Sequence, residues 1–270
     1  MNIYYQGEPW AYSNEVSENI KDKLNIKINK ISWLSNFSDV WEKIEEGNIW
    51  VLPVENSYAG SIHENIYKFL RYDYQIIWEY DLKINHYLLS KEKEIKNINK
   101  VYSHPQALNQ CHNFLKKNHI IPEKKYDTAW SAKIISTSNE KNVWAIASKL
   151  AWKIYNLNII KDNIADQNWN TTKFFLISKK SNNINYCEKS KKISIIFEAK
   201  DIPASLHKCL WVFAINNINL TKIESMPSLK DPFTYMFFIS FSWTLKDENI
   251  KKTLKKLEFF TKKIKILWEY

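Results

Sequence analysis

Hydrophobic and polar positions along this chain follow two periods, and segments of the two kinds alternate. The opening MNIYYQGEPW reads as a strand running into a turn. Ile49 to Val54 and Lys173 to Ile177 are short apolar runs, which predict two buried strands. Ile62, Ile66, Phe69 and Leu70 are spaced to lie on one helical face, and Ser103 through Leu115 and Ser131 through Ala151 also read as helical. Strands alternating with helices predict an α/β architecture.

The pattern breaks at Lys179 to Lys192, a polar, charged stretch without apolar periodicity, so residues 181–192 are predicted to link two domains. Beyond it, strands are predicted over Ile193–Glu198, Leu220–Ser225, Tyr235–Phe241 and Ile264–Trp268, with helices over Leu206–Ile215 and Glu248–Phe260. That β-α-β-β-α-β order is the ferredoxin-like plan.

Composition narrows the function classes. The chain has 270 residues, 45% of them hydrophobic, enough for one large or two modest domains. No apolar run reaches the roughly 18 residues of a membrane span. The first residues lack the basic-then-apolar order of a signal peptide, so a cytoplasmic location is expected. Cys111, Cys187 and Cys209 are odd in number and show no CxxC spacing, which argues against a disulfide framework or a zinc site. The net charge of +10 comes from scattered lysines, and Arg71 is the only arginine. This describes a solvated lysine surface rather than a nucleic-acid stripe.

Several segments then stand out together. They are Gln6-Gly7-Glu8-Pro9-Trp10-Ala11-Tyr12-Ser13, Leu52-Pro53-Val54-Glu55-Asn56-Ser57 with Gly60, and Ser103-His104-Pro105-Gln106-Ala107-Leu108. Asp127-Thr128-Ala129, Asn170-Thr171-Thr172-Lys173-Phe174 and Asn219 through Ser225 follow in order. Over nearly its whole length the chain resembles the prephenate dehydratase family with a C-terminal ACT domain. The resemblance implies a two-lobed, periplasmic-binding-protein-like catalytic domain over 1–180, its second lobe roughly 82–160, and a ferredoxin-like ACT domain over 193–270. It implies a lyase that converts prephenate to phenylpyruvate, water and carbon dioxide in phenylalanine biosynthesis, with no cofactor and no metal. The implied partners are prephenate, phenylalanine as effector and a second copy of the chain in a homodimer or homotetramer, with no nucleic acid and no membrane.

That reaction needs hydrogen-bond donors and a cation to hold a dianion and to assist departure of hydroxide. By its match to the family motif, Thr172 is expected to hydrogen-bond the leaving hydroxyl. Lys173 stands where the family has arginine; it can neutralise a carboxylate but lacks the planar fork. Phe174 packs beside the ring or in plain core. Asn56 and Ser57 offer an amide and a hydroxyl after a buried strand, or cap the following helix. Ser13, with Tyr12, supplies donors from the first turn, and Asn170 belongs to the same motif as Thr172. Thr128 and Ala129 begin a helix whose N–H groups would cradle an anion, or Thr128 simply caps it. His104 is either a general acid or a structural histidine. His63, His86, His112, His119 and His207 show no metal-like spacing and receive no role.

In the tail, the family's effector contacts correspond to Ala204-Ser205-Leu206 and Glu224-Ser225. Ala204 adds a methyl where close backbone approach is needed, so weakened phenylalanine binding is expected. The chain also has 12 Trp against 3 Gly. Trp10, Trp50, Trp78, Trp130, Trp211, Trp243 and Trp268 fall at glycine-favouring positions. Strain there would be prohibitive, which suggests a reassigned UGA codon read as glycine in the organism. Two alternatives remain: an arogenate dehydratase, and a noncatalytic amino-acid-binding regulator on the same scaffold.

Overall fold

The structure, a computed structural model, describes residues 1–7, 9, 11–24, 27–34, 39, 41, 48–93, 99–140, 142–179, 192–229 and 231–270. The chain opens with strand β1 (Asn2–Gln6), whose alternating burial follows its alternating sequence. Gly7 then turns the chain at φ +112°, where a side chain would be strained and a Cβ would lie 3.3 Å from that of Ala11. Helix α1 (Tyr12–Lys21) follows, then β2 (Lys30–Leu34), β3 (Asn48–Asn56), the short β4 (Gly60–Ser61), helix α2 (His63–Arg71) and β5 (Tyr74–Lys83). The buried run of β3 sits centrally in a sheet of order β2-β1-β3-β11-β5, where β11 is Thr171–Lys179. β1 pairs in parallel with both β2 and β3.

A second sheet holds β6 (Tyr87–Ser90), β7 (Lys100–Ser103), β8 (Ile121–Lys124), β9 (Val143–Ala147) and β10 (Asn158–Lys161), in the order β10-β6-β9-β7-β8. Its core packs Leu88, Val101, Leu108, Trp144 and Ile146 together. The helices here are shorter than the periodicity predicts. Ser103–Leu115 resolves into the end of β7 and two helices, α3 (Pro105–Gln110) and α4 (His112–Lys117), separated at Cys111 with φ −115° and ψ 17°. Ser131–Ala151 contains the end of α5 (Thr128–Thr137), all of β9 and the start of α6 (Lys149–Tyr155). The run Val-Trp-Ala-Ile-Ala is apolar on every position, so a helical and a fully buried strand pattern coincide, and burial between neighbouring strands decides.

The chain divides into two compact units: Met1–Asn65 with Tyr80–Phe175, and Ile66–Glu79 with Leu176–Tyr270. In the second unit β12 (Lys192–Ala199), α7 (Ser205–Ala214), β13 (Leu220–Pro227), β14 (Tyr235–Ser242), α8 (Glu248–Glu258) and β15 (Thr261–Glu269) give the expected β-α-β-β-α-β order. The sheet order is β13-β14-β12-β15, and its three pairings are antiparallel. One face packs Ile193, Ile195, Phe197, Ile239 and Phe241 against Cys209, Phe213, Ile250 and Leu257 of the helices. Tyr67 donates to the Pro227 carbonyl at 2.9 Å and Lys265 to the Tyr72 carbonyl at 2.8 Å, which binds Ile66–Glu79 into this unit. The predicted linker falls outside the described residues, apart from Lys192, which already belongs to β12.

Positive φ does not fall on any described tryptophan. Among the described residues it falls on Asn142, Asn156, Asn163, Asn217, His119, Ala204 and Phe233, besides Gly7 and Gly60. Asparagine tolerates the left-handed region, so in a glycine-poor chain it takes over turns that glycine commonly makes. The backbone strain expected at Trp50, Trp78, Trp130, Trp211, Trp243 and Trp268 is therefore absent; Trp10 lies outside the described residues. Trp50 stacks on Tyr4 with ring centroids 4.4 Å apart. Its cost is different: the indole N–H groups of Trp50 and Trp144 are buried without a hydrogen-bond partner.

Ala204 is one strained position, sharing its left-handed φ with His119 and Phe233. It precedes α7 at φ 60° and ψ 21° with no side-chain cap. Left-handed backbone costs a non-glycine residue about 1–2 kcal/mol, and glycine returns about half of that as unfolded-state entropy. Ala204→Gly is expected to raise the unfolding free energy by about 0.5–1 kcal/mol in urea melts.

Candidate active site

A cavity of about 360 Å³ opens within the first unit, and its wall is built from six places in the chain. The turn after β1 and the start of α1 contribute Gly7, Ala11, Tyr12 and Ser13. The ends of β3 and β11 contribute Asn56, Thr172 and Phe174. The residues leading into β6 contribute Ile84 and His86, α3 with its cap contributes His104, Gln106 and Gln110, and the start of α5 contributes Asp127 and Thr128.

Asn56 organises this wall. Its Oδ1 accepts from the backbone N–H groups of Tyr58 and Ala59 at 3.1 and 3.0 Å, an Asx-type turn at the tip of the β3–β4 hairpin. Gln106 Nε2 donates to the same oxygen at 3.0 Å. In the other direction Asn56 Nδ2 donates to Asn170 Oδ1 and to Thr172 Oγ1, each at 2.9 Å. Thr172 therefore accepts from Asn56, and its own hydroxyl hydrogen is left for the cavity.

His104 caps α3: its Nδ1 accepts from the Gln106 N–H at 3.2 Å, with Pro105 as the first helical residue. That bond holds a lone pair on Nδ1, so neutral His104 carries its hydrogen on Nε2. Burial pushes its pKa below the ordinary value, against the pull of Asp127. Asp127, and not Thr128, caps α5, accepting from the Trp130 N–H at 2.8 Å. A carboxylate thus already sits at that helix end, where it takes the Trp130 N–H. The start of α1 differs. Ala11 offers no side-chain cap, so the Tyr12 and Ser13 N–H groups begin the helix uncapped beside the cavity.

Six of the expected residues line the cavity together: Ser13, Asn56, His104, Thr128, Thr172 and Phe174. Four do not. Asn170 is buried behind the wall, bonded to Asn56 and Gln110. Ser57 faces the β11 backbone, its hydroxyl donating to the Trp169 carbonyl at 3.2 Å and accepting from the Thr171 N–H at 2.9 Å. Ala129 is buried in α5. Lys173 alternates with Thr172 across the strand and pairs with Asp81 at 2.9 Å. Among the described residues the cavity lining holds no lysine or arginine, so the expected cation is not on the wall.

His86, Gln110 and Tyr12 complete the site. Gln110 follows Gln106 by four residues, so the two share a helix face. His86 offered no signal, because metal-like spacing is the wrong test for a residue whose partners are a glutamine and a tyrosine. Its Nε2 lies 2.6 Å from Gln110 Oε1 and its Nδ1 3.2 Å from the Tyr12 hydroxyl. Burial lowers its pKa, partly offset by the Gln110 bond.

Residues 3–182 match the family described as prephenate dehydratase. The prephenate dehydratase of Methanocaldococcus jannaschii is 38% identical over 270 aligned residues, covering 99% of this chain and 97% of that one. A protein of Arabidopsis thaliana named arogenate dehydratase/prephenate dehydratase 2, chloroplastic, is 36% identical, covering 100% of this chain and 72% of that one. Among solved structures, a prephenate dehydratase from Arthrobacter aurescens in complex with L-Phe superposes with a TM-score of 0.87 at 21% identity, covering 100% of this chain and 89% of that one.

The two imidazoles make stability depend on pH. Their folded pKa values lie below the unfolded value of about 6.5, so the unfolded chain takes up these protons first. Their contribution to stability is intact above that value and is lost as pH falls through it. The urea midpoint should drop between pH 7.5 and 5.5, and His86→Gln should drop less over the same interval.

Proposed function

The chain belongs to the prephenate dehydratase family, and we propose that its cavity carries out the decarboxylating dehydration of prephenate to phenylpyruvate. The observation that carries this reading is the Asn56–Thr172 hydrogen bond. With Asn56 donating, Thr172 is a committed donor toward the cavity. In prephenate the bond from the ring to its carboxylate breaks and releases carbon dioxide. That electron pair completes the aromatic ring as the carbon–oxygen bond to the ring hydroxyl breaks. The departing oxygen gathers negative charge, leaves as hydroxide and takes its proton from solvent to become water. A neutral threonine is a weak acid, so Thr172 stabilises the developing hydroxide by a preorganised hydrogen bond rather than by full proton transfer. His104 Nε2–H and the Gln106 amide are further neutral donors on the wall.

The two substrate carboxylates are held without a wall lysine. The uncapped N–H groups at the start of α1, with the Ser13 hydroxyl, supply donors and the positive end of a helix dipole. Lys173 lies on the opposite side of β11 from Thr172 and is paired with Asp81. Phe174, buried at the cavity edge, gives the ring an apolar face.

A second substrate is favoured by Asp127, whose side chain lines the cavity. Arogenate carries an ammonium where prephenate has a keto group, and a carboxylate would meet it. We assign residues 1–180 to the catalytic domain and 193–270 to an ACT-type regulatory domain that takes phenylalanine with weakened affinity and pairs with a second copy in the cytoplasm. Ala204, Ser205 and Leu206 at the start of α7, and Glu224 and Ser225 in β13, are the proposed effector contacts.

Thr172→Val keeps the shape and removes the donor. Its kcat for phenylpyruvate formation should fall about 10²–10³-fold, with Thr172→Ser retaining most of the activity. Unchanged turnover in the valine variant would remove Thr172 from the mechanism. Parallel assays on prephenate and arogenate decide the substrate.

A further inference from the structure

The buried amides behind Thr172 form one directed chain, and its direction can be derived. The start is fixed by backbone. The Tyr58 and Ala59 N–H groups can only donate, so the Asn56 atom that meets them is the carbonyl oxygen. Asn56 therefore turns its NH₂ toward Asn170 and Thr172. Asn170 must receive that donor with Oδ1, which aims its own NH₂ at Gln110, at 2.9 Å. Gln110 in turn must receive with Oε1. The second atom on that oxygen is His86 Nε2, at 2.6 Å. Two acceptors at that distance would repel, so Nε2 carries a hydrogen. The opposite ring nitrogen, Nδ1, is then the acceptor in neutral His86, and the Tyr12 hydroxyl stands 3.2 Å from it and 3.1 Å from the Asn85 carbonyl. All of these groups lie in the first unit.

We propose that His86 is a positioning residue for the dehydration, holding Gln110 and Asn170 so that Asn56 spends one amide hydrogen on Asn170 and directs the other at Thr172. This rests on the reading of Thr172 as the donor to the leaving hydroxyl. Without the His86 donor, the Gln110 carboxamide rotates. Asn170 loses its anchor and need no longer present Oδ1 to Asn56, so the backbone-held Asn56 amide tips toward the Thr171 carbonyl, already 3.3 Å from its Nδ2, and away from Thr172. Thr172 then has two ways to point its hydroxyl, one of them back into the wall.

Two measurements test this. The first needs no substrate: nitrogen NMR of histidine-labelled protein at pH 7.5 should show His86 as the neutral Nε2–H tautomer. The Nδ1–H tautomer, or a charged ring, overturns the proposal. The second is kinetic. His86→Leu removes the donor, and misdirection of Thr172 should lower kcat by about 10²-fold with KM changed less than about threefold. His86→Gln, which can place an N–H near the same point, should recover at least about a tenth of the wild-type kcat. Equal losses in both variants mean a packing role only, and a change confined to KM means direct substrate contact; either overturns the proposal. Should His86→Leu fail to fold, the tautomer and the glutamine variant still decide. Failure of the proposed activity is read separately, from Thr172→Val: a valine variant that turns over normally sinks the role of Thr172 whatever tautomer His86 adopts.

Discussion

The carboxamide of Asn56 is the interaction on which this site depends. A buried amide has two distinguishable ends, and which end faces a neighbour decides whether that neighbour gives or receives a hydrogen. At Asn56 the choice is made by two backbone N–H groups of the turn that follows β3. The partner that the Thr172 hydroxyl meets in the wall is thus set by the conformation of a hairpin. Side-chain rotamers adjust readily, but a backbone turn within a paired strand does not, and preorganisation of this kind holds a donor in place without reorganisation as the reaction proceeds.

The electrostatics of the cavity follow the same economy. A dianionic substrate suggests a cluster of cations, yet the described wall is built from neutral donors, one helix start and one capping carboxylate. Neutral donors can be buried at modest cost when hydrogen-bonded, whereas a buried lysine carries a large desolvation penalty unless paired. Lys173 has its pair in Asp81. Burial pushes the pKa of His86 and His104 down, which favours neutral rings with one donating and one accepting nitrogen.

The second unit is governed by packing. Its sheet buries one face under two helices, and a hydroxyl cluster of Ser194, Ser240 and Tyr270, with oxygens 2.6 and 2.7 Å apart, satisfies the polar groups that the core encloses. Ala204 keeps the left-handed backbone that begins α7 although it has a side chain, which shows that the surrounding fold dictates this turn.

The sequence by itself determined the class of fold, the β-α-β-β-α-β order of the C-terminal half and six residues of the cavity wall. These are local properties: period two or 3.6 sets each element, and short motifs place chemistry at element ends. It misjudged the stretch from Ser131 to Ala151, because an all-apolar strand and a helix core look alike until neighbours bury them. The direction of the Lys173 side chain, the capping by Asp127 and the roles of Gln110 and His86 were decided only by tertiary structure. Asn56 meets Thr172 across 116 residues and Asn170 across 114. No local pattern records which amides will face one another over such distances; the pairing of β3 beside β11 brings them together, and the hydrogen-bond rules then leave one arrangement.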